Sequence, residues 1–193
     1  MGAVKFQAQL KAAGVELELD ECEAIINTYR ESYPHIPAFW KQADKALKCF
    51  MEGATMDIGV VPSALSIAFD PVAMRHGFKL PSGYILSYPD LQRDEDGYSY
   101  KTRNGRTKIY GGKVIENVCQ AVARCVIAEQ LVWISSRYKV ALTVHDAIAC
   151  VVPEERGAKA QRFIEKCMRT APDWARGLPL NCESGIGKSY GQC

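Results

Sequence analysis

The hydrophobic and polar positions fall into three regimes along the chain. Residues 3–13 carry apolar side chains at helical spacing and end at Gly14, a residue suited to closing a helix. A second helical stripe, Ala24, Ile25, Thr28 and Tyr29, sits in "LDECEAIINTYRESYP". Asp20 and Glu23 offer a capping box at its start and Pro34 ends it. A third helix is predicted in "IPAFWKQADKALKCFMEG", with Pro37 in the first turn and Gly53 beyond the last. Its stripe of Phe39, Trp40, Ala43, Leu47 and Phe50 reads as core.

From 54 to 110 the helical period disappears. Gly, Pro and Asp punctuate short apolar runs, which predicts strands and turns. One hairpin is expected to turn at Pro81-Ser82-Gly83 and another turn at "DEDG". The helical period then returns in "KVIENVCQAVARCVIAEQLVWISSRY". There Val114, Val118, Val122, Cys125, Val126 or Ile127, and Leu131 mark a buried face, while Asn117, Gln120 and Arg124 share a polar stripe. Two almost wholly apolar runs, 140–144 and 148–152, follow, and read as strands buried on both faces. Pro153 ends the second. A last helix with Ala160, Phe163, Ile164, Cys167 and Met168 inward precedes a tail that is expected to start with a strand at 178–182. The implied class is α+β, with segments 1–53 (helical), 54–110 (hairpins and loops) and 111–193 (long helix and hairpin).

Composition narrows the function classes only slightly. The 193 residues are 48% hydrophobic, enough for a sizeable core, and the formal charge is +2. That balance neither requires nor excludes a nucleic-acid partner, because a local patch matters more than the total. No run of 18 apolar residues occurs, so no membrane span is expected. The first residues lack the apolar centre of a signal peptide, and Phe6 stands where a myristoylation signal needs Ser or Thr. The 8 cysteines show no CxxC spacing and the 3 histidines are too few to complete a zinc site, so reduced thiols in a cytosol are expected.

Two features are candidates for chemistry. "YSYKTRNGRTKIYGGK" interleaves Lys101, Arg103, Arg106 and Lys108 with Tyr98, Tyr100 and Tyr110. This suits either a grip on a nucleic-acid backbone or a solvated hairpin face. His145-Asp146 lies between the two apolar runs. It is either an ordinary turn or a hairpin tip presenting a carboxylate to Mg²⁺, a cation that prefers oxygen ligands.

Taken in order, "MGAVKF", "YRESYPHIPAFW", "LPSGY", "YGGKVIENVCQAVAR" and "LTVHDA" resemble the C-terminal part of family A DNA polymerases, those similar to bacterial DNA polymerase I and especially bacteriophage-type members. The resemblance runs over nearly the whole chain, and the order of the pieces carries it. It implies the C-terminal part of a right-hand polymerase fold, with helices from the fingers side, a palm helix and the hairpin of motif C. It implies that Asp146 is the motif C aspartate, one of two carboxylates that hold Mg²⁺ for nucleotidyl transfer, and that His145 lies near the primer terminus. Gln120 matches a palm-helix glutamine that contacts the minor groove, and Asn117 and Arg124 lie on the same stripe.

The implied partners are primer-template DNA, a deoxynucleoside triphosphate and an N-terminal polymerase portion, in the cytoplasm of a bacterial or phage-infected cell. Two departures stand out. Ala147 occupies the place of a glutamate common in the family. No motif A carboxylate and no nucleotide-binding fingers helix is found, Asp57 and Asp70 lying in the wrong order for the former. The chain is therefore expected to be catalytically incomplete alone. The readings kept beside this one are a non-catalytic DNA-binding module and a relative of single-subunit RNA polymerases.

Overall fold

The computed structural model describes residues 2–56, 66–71 and 74–193; Asp57 lies outside them. Three helices open the fold: α1 (Ala3–Ala12), α2 (Leu19–Ser32) and α3 (His35–Glu52). α1 packs on α2. The N-cap of α2 is Glu18, not Asp20: Glu18 and Glu21 form the capping box, the Glu18 N–H donating to Glu21 Oε2 at 2.8 Å. Several acidic residues crowd this start, and the one whose extended backbone (φ −72°, ψ 161°) precedes the first turn takes the cap. α3 closes at Gly53 with φ +69°, a left-handed conformation in which glycine avoids the Cβ penalty.

Among the described residues, six strands follow in two antiparallel sheets. β1 (Ser66–Asp70), β2 (Arg75–Lys79) and β3 (Ile85–Ser87) form one, and β4 (Gln92–Asp94), β5 (Gly97–Thr102) and β6 (Gly105–Ile109) the other. The β2–β3 turn runs through Pro81-Ser82-Gly83, where the Gly83 N–H donates to the Leu80 carbonyl at 2.8 Å. The "DEDG" turn joins β4 to β5 with Asp94 opposite Gly97. These strands flank α4 (Gly111–Ser135), the longest helix.

One core draws on α3, both sheets and α4. Ala43, Leu47 and Phe50 meet Ile67, Phe78, Leu80, Tyr88, Ile109, Val114, Val118 and Cys125, all buried. Phe50 and Phe78 stack edge-to-face with centroids 4.8 Å apart. The approach of α3 to α4 depends on Gly111. A Cβ there would lie 1.9 Å from the Trp40 carbonyl oxygen, so only glycine admits this packing. The Gly111 N–H donates to Asp44 Oδ1 at 2.5 Å, which satisfies one of the first donors of α4 from a residue on α3.

By length and composition, α4 also qualifies as long and apolar enough to cross a membrane, although no 18 apolar residues run uninterrupted. In this fold it packs against α3 and α5. Its far half buries Gln130 and Ile134, and the Gln130 amide donates to the Met168 carbonyl at 2.7 Å, tying α4 to the end of α5.

The rest of the chain is less covered. β7 (Val140–Val144) and β8 (Ala147–Cys150) form a two-stranded antiparallel sheet of their own. The expectation of strands buried on both faces is overturned: residues 141–147 are all exposed, with Leu142 at 44% and Val144 at 40%. Apolar sequence supplies the capacity for burial, but the contact of β7 with α4 does not cover residues 141–147. α5 (Gly157–Arg169) turns Ala160 and Cys167 inward. The tail at 178–182 is not a strand. No neighbouring strand offers it a ladder, and side chains of α5 hold this stretch and the residues after it instead: Arg169 donates to Asn181 Oδ1 at 3.0 Å and to the Cys182 carbonyl at 3.2 Å, and Gln161 to Ser184 Oγ at 2.8 Å. All eight cysteines are free thiols.

Candidate nucleic-acid interface and hairpin tip

The hairpin geometry follows from its register. Val144 pairs with Ala147, so His145 and Asp146 form a two-residue loop. His145 has φ +52°, a left-handed conformation that costs a non-glycine residue energy and turns the strand sharply. Both loop residues are exposed, and among the described residues neither side chain has a hydrogen bond or an ion pair. Asp146 therefore stands at the apex with its carboxylate oxygens open to a ligand.

Among the described residues, no group of three or more His, Cys, Asp or Glu side chains gathers as a metal site. A single exposed carboxylate is a poor donor set for Mg²⁺, which takes six oxygen ligands, several of them water, and is held through one or two carboxylates plus substrate phosphates. The described residues alone thus do not make a Mg²⁺ site. Ala147 adds no oxygen ligand, and Asp70 lies at the end of β1, in the sheet formed with β2 and β3.

The polar stripe of α4 divides into two kinds of residue. Gln120 and Arg124 are exposed and have no partner among the described residues. Asn117 is half-buried, and its amide donates to the Tyr88 hydroxyl at 3.2 Å. Tyr88 is 5% exposed, and burial pushes its phenol up to about 12 from 10.0, with the Asn117 hydrogen bond pulling the other way. Tyr100 packs edge-to-face on Tyr88 at 5.1 Å. Asn117 is thus anchored to the core, while Gln120 and Arg124 project from it. β7 touches α4, so stripe and hairpin belong to neighbouring elements, but no hydrogen bond joins them.

The basic hairpin divides in the same way. Arg106 is heavily engaged: it donates to Asp90 Oδ2 at 2.6 Å, to the Asp90 carbonyl at 2.8 Å, and to Ser99 through its carbonyl at 3.0 Å and Oγ at 3.2 Å. This hydrogen bonding holds the Asp90 carboxyl below its usual range, with a smaller contribution from Gln92. Arg106 thereby supports the unusual Asp90 backbone, φ +48°. Lys108 pairs with Asp96 at 3.2 Å, both well exposed. Lys101 and Arg103 are exposed and their side chains make no hydrogen bond or ion pair among the described residues, though Lys101 adds a small electrostatic pull on Asp90; Arg103 sits at the β5–β6 turn. These are the cations of the hairpin free to meet phosphate.

Sequence reasoning missed two participants. Tyr88 gave no signal beyond its apolar surroundings. The Asp44 cap joins residues 67 apart in sequence; the Gly111-Gly112 pair was its one local sign, since paired glycines before a helix mark a close approach.

Comparison with known proteins bears on this arrangement. The chain is 28% identical, over a 206-position alignment, to a curated protein named DNA polymerase from Bacillus phage SP02, and the match covers 94% of this chain and 29% of that relative. The chain thus spans less than a third of the relative's length. No family model matches it, and no solved structure matches it.

Proposed function

We propose that this chain is the portion of a DNA-directed DNA polymerase, of the family A kind, that carries the catalytic hairpin and the DNA-tracking helix. One observation carries the reading: similarity to a phage DNA polymerase spans 94% of the chain, including the hairpin that presents Asp146 unpartnered at its apex. The reaction is attack of a primer 3′-hydroxyl oxygen on the α-phosphorus of a deoxynucleoside triphosphate. The new ester bond forms, the bond to the β-phosphate oxygen breaks, pyrophosphate leaves, and the hydroxyl proton passes to solvent.

Within that reaction Asp146 is one carboxylate of the reacting centre. Mg²⁺ would need a second carboxylate from the remaining polypeptide beside Asp146, and held there it would supply stabilisation of the charge that develops on phosphate oxygens. His145, fixed by its left-handed turn, lies beside the primer terminus. Gln120 and Arg124 meet the minor groove, Asn117 supports that face through Tyr88, and Lys101 and Arg103 meet backbone phosphate. Arg106 and Lys108 shape the hairpin that carries them.

The exposed apolar strands β7 and β8 support the incompleteness of the chain alone. A two-stranded hairpin is marginal in water and needs further sheet or a helix over its apolar face. The remaining polymerase polypeptide supplies that cover, and the assembled enzyme works in the cytoplasm of a bacterial or phage-infected cell, away from any membrane. The single carboxylate and Ala147 favour one other reading, a DNA-binding module without catalysis.

The deciding experiment is Asp146→Ala in a polymerase reconstituted from this chain and the rest of the polypeptide. Primer extension with Mg²⁺ is expected to fall to background while primer-template binding persists. Unchanged extension by the variant would remove Asp146 from the reacting centre and leave the binding module.

A further inference from the structure

The outer face of α5 carries a row of cations that the hairpin chemistry does not use. Lys159, Arg162 and Lys166 recur at steps of three and four, which sets them in line along the helix. All three are exposed, on the side away from Ala160 and Cys167, which are buried. Arg137 joins the row from the turn after α4: its guanidinium lies 5.0 Å from the centre of the Phe163 ring. We infer that this strip is a docking surface for an acidic, extended segment of a partner protein. The inference stands apart from the polymerase reading. Asp146 lies beyond the far end of β7, a five-residue strand of roughly 16 Å, whereas the turn that carries Arg137 precedes its start.

The carboxylates on and beside α5 keep their charge and set the limits of the strip. Glu165 lies on the flank of the helix, where it pairs with Arg169 at 3.5 Å and accepts from the Ser184 hydroxyl. Arg169 is tied further to Asn181 and the Cys182 carbonyl, so Glu183 belongs to the same flank. Glu154 and Glu155 stand at the start of the helix, about one turn before Lys159. Between these limits the side chains of Arg137, Lys159, Arg162 and Lys166 make no hydrogen bond or ion pair among the described residues. Arg137 meets only the rings of Tyr138 and Phe163, and Lys166 adds a small electrostatic pull on the Cys167 thiol. The strip is therefore positive, short and bounded by acidic groups.

Those bounds favour protein over nucleic acid. Lys159 and Lys166 are two turns apart, roughly 10 Å along the helix. A phosphate backbone carries a charge at every nucleotide and runs on over Glu155 at one end or Glu165 and Glu183 at the flank. A protein segment can match the strip and then end its charge. Alternate side chains of an extended segment share one face about 7 Å apart, close to the about 5–6 Å between neighbours of the row. Acidic residues at every second position thus meet successive cations. Arg137, already held over a ring, loses little freedom when it takes a carboxylate. Phe163 and Tyr138, packed edge-to-face at 5.6 Å and half-buried, offer apolar contact beside the charges.

The test uses the full chain and fluorescence anisotropy with a labelled peptide of alternating glutamate and alanine, about ten residues long. The peptide is expected to bind at low salt, and the combined Lys159→Glu, Arg162→Glu and Lys166→Glu variant to weaken it about tenfold or more. A control variant reverses three exposed lysines elsewhere, Lys11→Glu, Lys45→Glu and Lys79→Glu, with the same change of net charge, and is expected to keep the affinity within about twofold. Circular dichroism checks the helix; if the reversals disturb it, glutamine at the same three α5 positions should still weaken the peptide about threefold. Absence of peptide binding at low salt, or equal losses in the α5 and control variants, would overturn the inference. So would an equal loss of affinity for a blunt DNA duplex in the α5 variant, which would assign the strip to nucleic acid. Loss of the peptide with duplex affinity kept within about twofold supports it.

Discussion

The facing sides of α3 and α4 and the strands of the β7–β8 hairpin are both apolar, yet only the first are buried. Ala43, Ala46, Leu47 and Val114 have no exposed surface, whereas Leu142 and Val144 remain two-fifths exposed. The first region finds its partners within the chain. The second carries the proposed catalytic carboxylate on a hairpin that touches α4 yet leaves residues 141–147 exposed. Apolar sequence records how much burial a segment can sustain, and the assembled neighbours decide how much it receives.

The sharpest break of the buried region is Gly111→Ala. The added methyl meets backbone at 1.9 Å, which no side-chain rotation relieves, so a loss of about 3 kcal/mol or outright failure to fold is expected in chemical denaturation. Leu47→Ala, fully buried, should cost about 2–5 kcal/mol by the same measurement.

Tyr88 comes next. Tyr88→Phe removes the hydrogen bond to Asn117 and should cost about 1 kcal/mol. It also predicts an alkaline limb. The phenol titrates near 10.0 when unfolded and at about 12 when folded, so its stability is complete below about pH 10 and lost as pH rises towards 12. Thermal unfolding followed across that range should show the loss in the native chain and a shallower one in Tyr88→Phe.

A smaller effect of opposite sign belongs to Asp90. Its folded carboxyl is depressed by Arg106, so its contribution is present above the ordinary carboxylate value and lost as pH falls through the folded one. Arg106→Gln should remove that part of the acid limb and loosen the β4–β6 sheet slightly; acid titration followed by circular dichroism would detect it.

The smallest effect completes the contrast with Leu47. Leu142→Ala should change the stability of this chain by less than about 0.5 kcal/mol, because the side chain is already solvated. A loss as large as that of Leu47→Ala would mean that the hairpin is covered in solution and would end the contrast.

Much of this architecture was legible in the sequence. Helical periodicity located the five α-helices found among the described residues, and glycine and proline marked the Leu80–Gly83 turn and the left-handed close of α3 at Gly53. What was not legible depended on pairing at a distance. Glu18 rather than Asp20 caps α2 because of backbone geometry that residue type alone does not dictate. The 178–182 stretch has strand-like residues but no strand beside it. Gln130 sits on the buried face of α4 because the Met168 carbonyl, from another helix, receives its amide. Of the candidate site, the hairpin tip was legible as the His145-Asp146 pair between apolar runs. The division of the cations into Lys101 and Arg103, which make no ion pair, and Arg106 and Lys108, which do, was not, since it turns on Asp90 and Asp96 across the sheet.

The central claim is that the hairpin tip becomes catalytic only when the rest of a polymerase covers and completes it. Primer extension on a primer-template with Mg²⁺ and deoxynucleotides tests this directly, with the chain alone and with the remaining polypeptide added. The account predicts no extension by the chain alone and extension once the remainder is present. Robust Mg²⁺-dependent extension by the chain alone would contradict it.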